Sequence, residues 1–182
     1  MKVLTPQSDI SISDANKEMQ MLRTILILFA AFSAFLLCGG EILWKGKDLA
    51  LWQAKENVKV SFDGNCLKAE FPANDPQITG PQLRIDPSKI NAVSITYRAR
   101  GTKPGGGELY FAHSPRDFSA RKYWALPALK ADGQWHTLVV TDKALCNKAN
   151  WFEGGIIMQL RLDPVNKAGG TMEIKEIRLF ST

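Results

Sequence analysis

Beyond Gly40 the chain alternates apolar and polar residues with a period of two, in short bursts separated by glycine, proline, asparagine and aspartate. Successive side chains of a strand point to opposite faces, so this pattern predicts half-buried β-strands and not helices. Val58, Val60 and Phe62 alternate with Lys59 and Ser61, and Leu67, Ala69 and Phe71 alternate with Lys68 and Glu70. Between them Asp63-Gly64-Asn65 supplies residues that tolerate positive φ, which predicts a hairpin. Val93, Ile95 and Tyr97 share one face of a further strand, with Ser94, Thr96 and Arg98 on the other. Residues 109–113, 122–126, 135–140, 156–162 and 171–180 continue the series. In the last of these, Met172 and Ile174 have one parity and Ile177 and Leu179 the other. One extra residue near Lys175-Glu176, a β-bulge, would return both pairs to the core. No stretch carries a helical stripe, and about eight to ten strands without helix predict an all-β antiparallel sandwich of the jelly-roll type.

Upstream the pattern changes. Residues 1–20 are polar and aperiodic, whereas residues 24–37 are apolar but for Thr24 and Ser33, with Arg23 before them and Cys38-Gly39-Gly40 after. A basic flank, a short apolar run and small residues at its exit predict a secretory signal over residues 21–40, cleaved after Gly40. A membrane span needs about 20 apolar residues, more than this run offers, so an uncleaved anchor is the second reading. Cys38 could also carry a lipid, although bulky Leu37 stands where such signals hold a small residue. Signals open a chain, which suggests that translation starts at Met19 or Met21. The expected organisation is a polar extension (1–20), a signal peptide or membrane anchor (21–40) and one sandwich domain (41–182). The destination is the periplasm, the cell exterior or the envelope.

Composition narrows the function. At 182 residues, with 45% hydrophobic and 23% charged residues, the chain suits one packed domain and neither a disordered nor a multi-span protein. The net charge is +5, but lysine and arginine are scattered with no run of four, so no nucleic-acid partner is expected. Catalytic material is sparse: the two histidines, His113 and His136, belong to no serine triad or metal-spaced cluster. Gly105-Gly106-Gly107 lacks the lysine and the helix that a phosphate loop needs. Glu108, Asp117, Asp132 and Glu153 could form a glycosidase pair only if the fold assembled them. Cleavage after Gly40 would leave Cys66 and Cys146, which an exported domain could join as a disulfide.

The order Asp132-Gly133-Gln134-Trp135-His136-Thr137, Trp151-Phe152-Glu153-Gly154-Gly155-Ile156, Leu160-Arg161-Leu162-Asp163-Pro164, Gly169-Gly170 and residues 174–179 resembles the C-terminal half of galactose-binding-like jelly-roll domains. This is the fold of many carbohydrate-binding modules appended to secreted polysaccharide-degrading enzymes. The resemblance implies a polysaccharide or other glycan as partner. It also implies no cofactor except calcium, which some relatives hold. Lys175 stands where those relatives place an aspartate, and an ammonium cannot ligate calcium. The segment Leu43-Trp44-Lys45-Gly46-Lys47-Asp48-Leu49, with Trp52, separately resembles the start of secreted sugar hydrolases built on a concanavalin-like sandwich.

Sugar recognition needs flat apolar surface against C–H faces and planar polar groups against hydroxyls. Arg121-Lys122-Tyr123-Trp124, with His113 and Arg116 nearby in sequence, supplies both. Tyr123 and Trp124 must point to opposite faces, so one is the platform and the other packs inward; Trp124 is the first choice and Tyr123 the alternative. Gln82 and Arg84 alternate with Leu83 and Ile85 and could line a groove. Arg161 and Asp163 share a face, where an ion pair is expected. Trp135 and Trp151 are expected in the core, with Trp44 and Trp52 packed at its edge or inside it. The reading is an exported, non-catalytic glycan-binding module. The alternatives are a structural or adhesive envelope module that binds a protein, and a glycan hydrolase on the same scaffold.

Overall fold

A computed structural model describes residues 41–182; the expected signal, its cleavage point and the lipidation of Cys38 lie outside the described residues. Eleven strands follow one another: β1 (Ile42–Lys45), β2 (Gln53–Glu56), β3 (Lys59–Phe62), β4 (Leu67–Glu70), β5 (Gln77–Ile85), β6 (Ala92–Arg100), β7 (Gly107–Ala112), β8 (Tyr123–Leu126), β9 (Asp132–Thr141), β10 (Ile157–Asp163) and β11 (Thr171–Phe180). They form two sheets with every pairing antiparallel. One has six strands in the order β3-β4-β11-β6-β9, with β1 also on β11; the other has five in the order β2-β5-β10-β7-β8. The predicted antiparallel sandwich is the fold.

Local chemistry sets the turns. Between β3 and β4, Gly64 takes φ +98°, and the Asp63 carboxylate accepts from the backbone N–H groups of Asn65 and Cys66, both at 2.9 Å. A side-chain cap of this kind closes the hairpin without a second left-handed residue. The ladder between β11 and β6 slips between Ile174 and Glu176, so the bulge expected there exists, and Met172, Ile174, Ile177 and Leu179 are all buried. Three short 3-10 turns and, among the described residues, one α-helix were not expected: α1 (Lys148–Phe152), whose N-cap Asn147 accepts from the N–H of Asn150. Five residues are too few to display a 3.6-residue period.

The inward faces of both sheets meet in one hydrophobic core. Trp44, Trp52, Trp124 and Trp151 are all buried in it. Trp44 and Trp52 meet edge to face at 5.5 Å, and Trp151 meets Phe111 at 4.9 Å and Trp124 at 5.0 Å in the same manner. These are the favourable geometries of aromatic quadrupoles. Gly80 makes room for this packing, since a Cβ there would lie 3.1 Å from the Trp52 ring. Trp135 departs from the expectation of a core residue: it is 40% exposed, because Leu138 and Val140 take the inward parity of β9. The disulfide that Cys66 and Cys146 could have formed is absent, and both are free. Cys66 is buried beside β4 of the six-stranded sheet, whereas Cys146 is exposed and donates its N–H to Tyr123 of the five-stranded one.

Candidate functional site

The outer face of the five-stranded sheet carries a row of aromatic and polar groups. On β8, β7 and β10 the core takes Trp124 and Leu126, Leu109 and Phe111, and Leu160 and Leu162. Alternation therefore sends Tyr123, Tyr110 and Arg161 outward. The ladders place Tyr123 opposite Tyr110, Tyr110 opposite Arg161, Arg161 opposite Thr79, and Thr79 opposite Gln53. One row thus crosses all five strands. Its two tyrosine rings are 5.3 Å apart, and the Arg161 guanidinium lies 4.3 Å from the centre of the Tyr110 ring.

The connection between β7 and β8 folds back over this face. Its Phe118 ring sits 5.1 Å from the Arg161 guanidinium and 5.7 Å from Lys55 Nζ. The loop is fixed from below: the Arg116 N–H donates to Gln159 Oε1 at 3.1 Å, while Gln159 Nε2 donates to the Gly80 carbonyl at 3.2 Å. Lys122 bonds Asp117 at 2.9 Å within the loop. Arg161 is consequently held between two rings, which fixes a long side chain that would otherwise lose rotamer freedom on meeting a ligand.

Beneath that row lie carboxylates. Arg161 donates through Nε to Asp163 Oδ1 at 2.8 Å and through Nη2 to Oδ2 at 2.6 Å. This is a bidentate pair on one strand, and the Asp163 side chain is 2% exposed. Burial raises the Asp163 carboxyl to about 6 despite Arg161, and Asp75 and Glu108 push in the same direction. Glu108, directly opposite Asp163 on β7, is also raised, first by burial and then by Asp75. Burial, followed by the Glu108 charge, raises the Tyr110 phenol; the bond to the Cys146 thiol leads the upward shift at Tyr123.

The residues expected to bind ligand separate under this geometry. Tyr123 is on the outer row. Trp124 is not accessible: it is 0% exposed, because it shares parity with the core residue Leu126, so the platform role expected of it is corrected. His113 is occupied, with Nε2 2.9 Å from the Asn150 carbonyl and Nδ1 3.4 Å from that of Ile156, tying the chain just past β7 to α1 and to the segment after it. Gln82 is exposed opposite Gln159 at the end of the face, and Arg84 is exposed beyond it. Arg121 is exposed, and its carbonyl accepts from Asn150 Nδ2.

The fold disperses the four carboxylates named for a glycosidase pair. Asp117 binds Lys122 in the loop, Asp132 binds His136 on the six-stranded sheet, and Glu153 caps α1, leaving Glu108 alone on this face. Among the described residues no group of three or more histidine, cysteine or acidic side chains is placed to hold a metal ion. Tyr110 and Phe118 were not singled out by sequence. Tyr110 sits between Leu109 and Phe111, and that alternation already marks it as outward.

Neither a family model nor a curated protein matches the sequence. The structure is similar to a family 11 carbohydrate-binding module from Clostridium thermocellum, solved with a β-1,3-1,4-mixed-linked tetrasaccharide. The TM-score is 0.55 at 15% identity, over 80% of this chain and 98% of that one. A low-affinity xylan-binding module from Roseburia intestinalis aligns at TM-score 0.48 and 13% identity, over 78% of this chain and 95% of that one. The second N-terminal cellulose-binding domain of a Cellulomonas fimi β-1,4-glucanase aligns at 0.49 and 10%, over 81% and 97%. The described domain therefore has the jelly-roll fold of carbohydrate-binding modules.

Proposed function

We propose that the protein is an exported, non-catalytic glycan-binding module whose ligand lies along the tyrosine–arginine row of the five-stranded sheet. The observation that carries this reading is the row itself: Tyr123, Tyr110, Arg161, Thr79 and Gln53 in register across every strand. An extended sugar chain alternates apolar C–H faces with hydroxyls, and a line of two tyrosine rings followed by the Arg161 guanidinium and the Gln53 amide matches that alternation. The jelly-roll fold shared with carbohydrate-binding modules supports the same assignment by analogy. Gln82, Arg84 and Arg121 serve as donors at the rim.

Export follows from the apolar segment in 21–40, with the polar stretch 1–20 ahead of it and the binding domain in 41–182. Membrane attachment would come only through an uncleaved signal or a lipid on Cys38. The non-catalytic reading is supported by Asp163, whose carboxyl is raised to about 6 but is paired with Arg161 and only 2% exposed.

Titration calorimetry against soluble β-glucans, xylan and mannan tests the proposal. Tyr110→Ala and Tyr123→Ala should each weaken binding at least about tenfold, or ~1.4 kcal/mol, with the β-sheet circular dichroism retained. Absence of binding across the panel, or binding that survives both substitutions, refutes it.

A further inference from the structure

β2 ends the five-stranded sheet and β3 the six-stranded one, and no ladder joins the two. A cleft of about 280 Å³ opens between these edges. Its apolar lining includes Trp52 and Ala54 on one side and Val60, Phe62 and Leu67 on the other. Gln53 and Ser61 are its polar side chains, and none of the lining residues is ionisable. Ala54, Val60 and Phe62 lie opposite the buried Ile78, Ala69 and Leu67, so all three have the inward parity of their strands. Yet Ala54 is exposed, and Val60 and Phe62 are only half-buried. The cleft is therefore apolar surface turned toward the inside of the sandwich and still open to water.

Gln53 belongs both to this cleft and to the tyrosine–arginine row, since it stands opposite Thr79 at the row's end. A chain lying across Tyr110, Arg161 and Thr79 brings its next group to the mouth of the cleft. A bare sugar would carry in a rim of hydroxyls against two polar side chains, and unpaired hydroxyls are costly to bury. The lining also holds a spare donor: Trp52 is 1% exposed, and its indole N–H has no acceptor among the described residues. An O-acetyl substituent suits this balance, because it removes one hydroxyl donor, brings a carbonyl acceptor and adds a methyl group for the apolar walls.

We infer that the cleft between β2 and β3 takes an acetyl ester carried on the glycan, so that the protein selects acetylated over unsubstituted chains. This rests on the glycan reading of the row, which supplies the chain that delivers the ester.

Titration calorimetry with partially acetylated xylo-, manno- and gluco-oligosaccharides tests this, each compared with the same sample after mild alkaline deacetylation. The wild type should bind the acetylated form at least about fivefold more tightly, the gain expected from burying a methyl group. Ala54→Phe, at an exposed position on one wall, should fill the cleft and bring the acetylated affinity down to that of the deacetylated form. Melting temperature and affinity for the deacetylated form should not change. Ser61→Phe, exposed on the other wall, should act in the same way. Equal affinity for the two forms, with both still weakened by Tyr110→Ala, overturns the inference and leaves the row standing. An acetyl preference that survives both Ala54→Phe and Ser61→Phe overturns it too. No binding of either form refutes the row as well.

Discussion

On the outer face of the five-stranded sheet, Arg161 lies between Tyr110 and Phe118 and is tied to Asp163; on that of the six-stranded sheet, Arg98 lies 4.9 Å from Trp135 and is tied to Glu173 at 2.7 Å. The residue types are nearly the same. What differs is water. The Arg161 and Asp163 side chains are 11% and 2% exposed, against 31% and 25% for Arg98 and Glu173. A folded-back loop shelters the first pair, whereas Trp135 is 40% exposed. Sheltering sharpens electrostatics in both directions: a complete pair is held in place, and an incomplete one becomes costly.

The largest test of this contrast is removal of each carboxylate. Asp163→Ala leaves a guanidinium beneath Phe118 without its bidentate acceptor and should cost about 3 kcal/mol in urea unfolding. Glu173→Ala should cost at most about 1 kcal/mol. Equal costs would mean that the loop does not exclude water from Arg161.

Acidity gives a second, smaller test. Asp163 titrates near 6 in the folded protein against an ordinary value of 3.8. Above both values the group is ionised in either state, and below both it is protonated in either state. Between them the folded chain holds a proton that the unfolded chain has lost. This group therefore adds stability as pH falls from about 6 to about 4, by on the order of 2 kcal/mol. Asp63 has the opposite sign in a lower window, since backbone N–H bonds hold its carboxyl at about 2 and its contribution disappears as pH falls through that value. Unfolding free energies measured at pH 7, 5 and 4 should rise on acidification in the wild type more than in Asp163→Asn. Parallel curves would place the titration elsewhere.

The same contrast shows what alternation can and cannot convey. Parity alone separates Tyr123 from Trp124 without saying which turns inward; Leu126, two residues on, decides it, because Trp124 shares its side. Counting back from Leu138 and Val140 in the same way would have exposed Trp135. At both positions phase, and not residue type, decides which side is buried. The bulge at Lys175-Glu176 was legible because it leaves a parity break in the sequence. Phe118 was not, since a loop residue has no phase and reaches Arg161 only through a return path fixed by Gln159. The burial of Asp163 depends on that same return, so its raised pKa could not be read either. Cys66 and Cys146 could be counted as a pair, but a count does not show that one lies at each sheet.

The smallest effect separates the pairs by screening. At 1 M salt the Debye length is about 3 Å, so charges that water reaches interact weakly beyond contact. The Arg98–Glu173 pair is open to ions, and whatever Glu173→Ala costs in dilute buffer should fall by more than half at that salt concentration. The Asp163→Ala penalty is mainly the desolvation of an orphaned guanidinium that is 11% exposed and so little screened by mobile ions, and it should hardly change. Paired urea titrations at low and high salt read the difference directly. If the Asp163→Ala penalty shrinks as much as that of Glu173→Ala, ions reach Arg161, and the loop carrying Phe118 does not shelter the row proposed to hold the glycan.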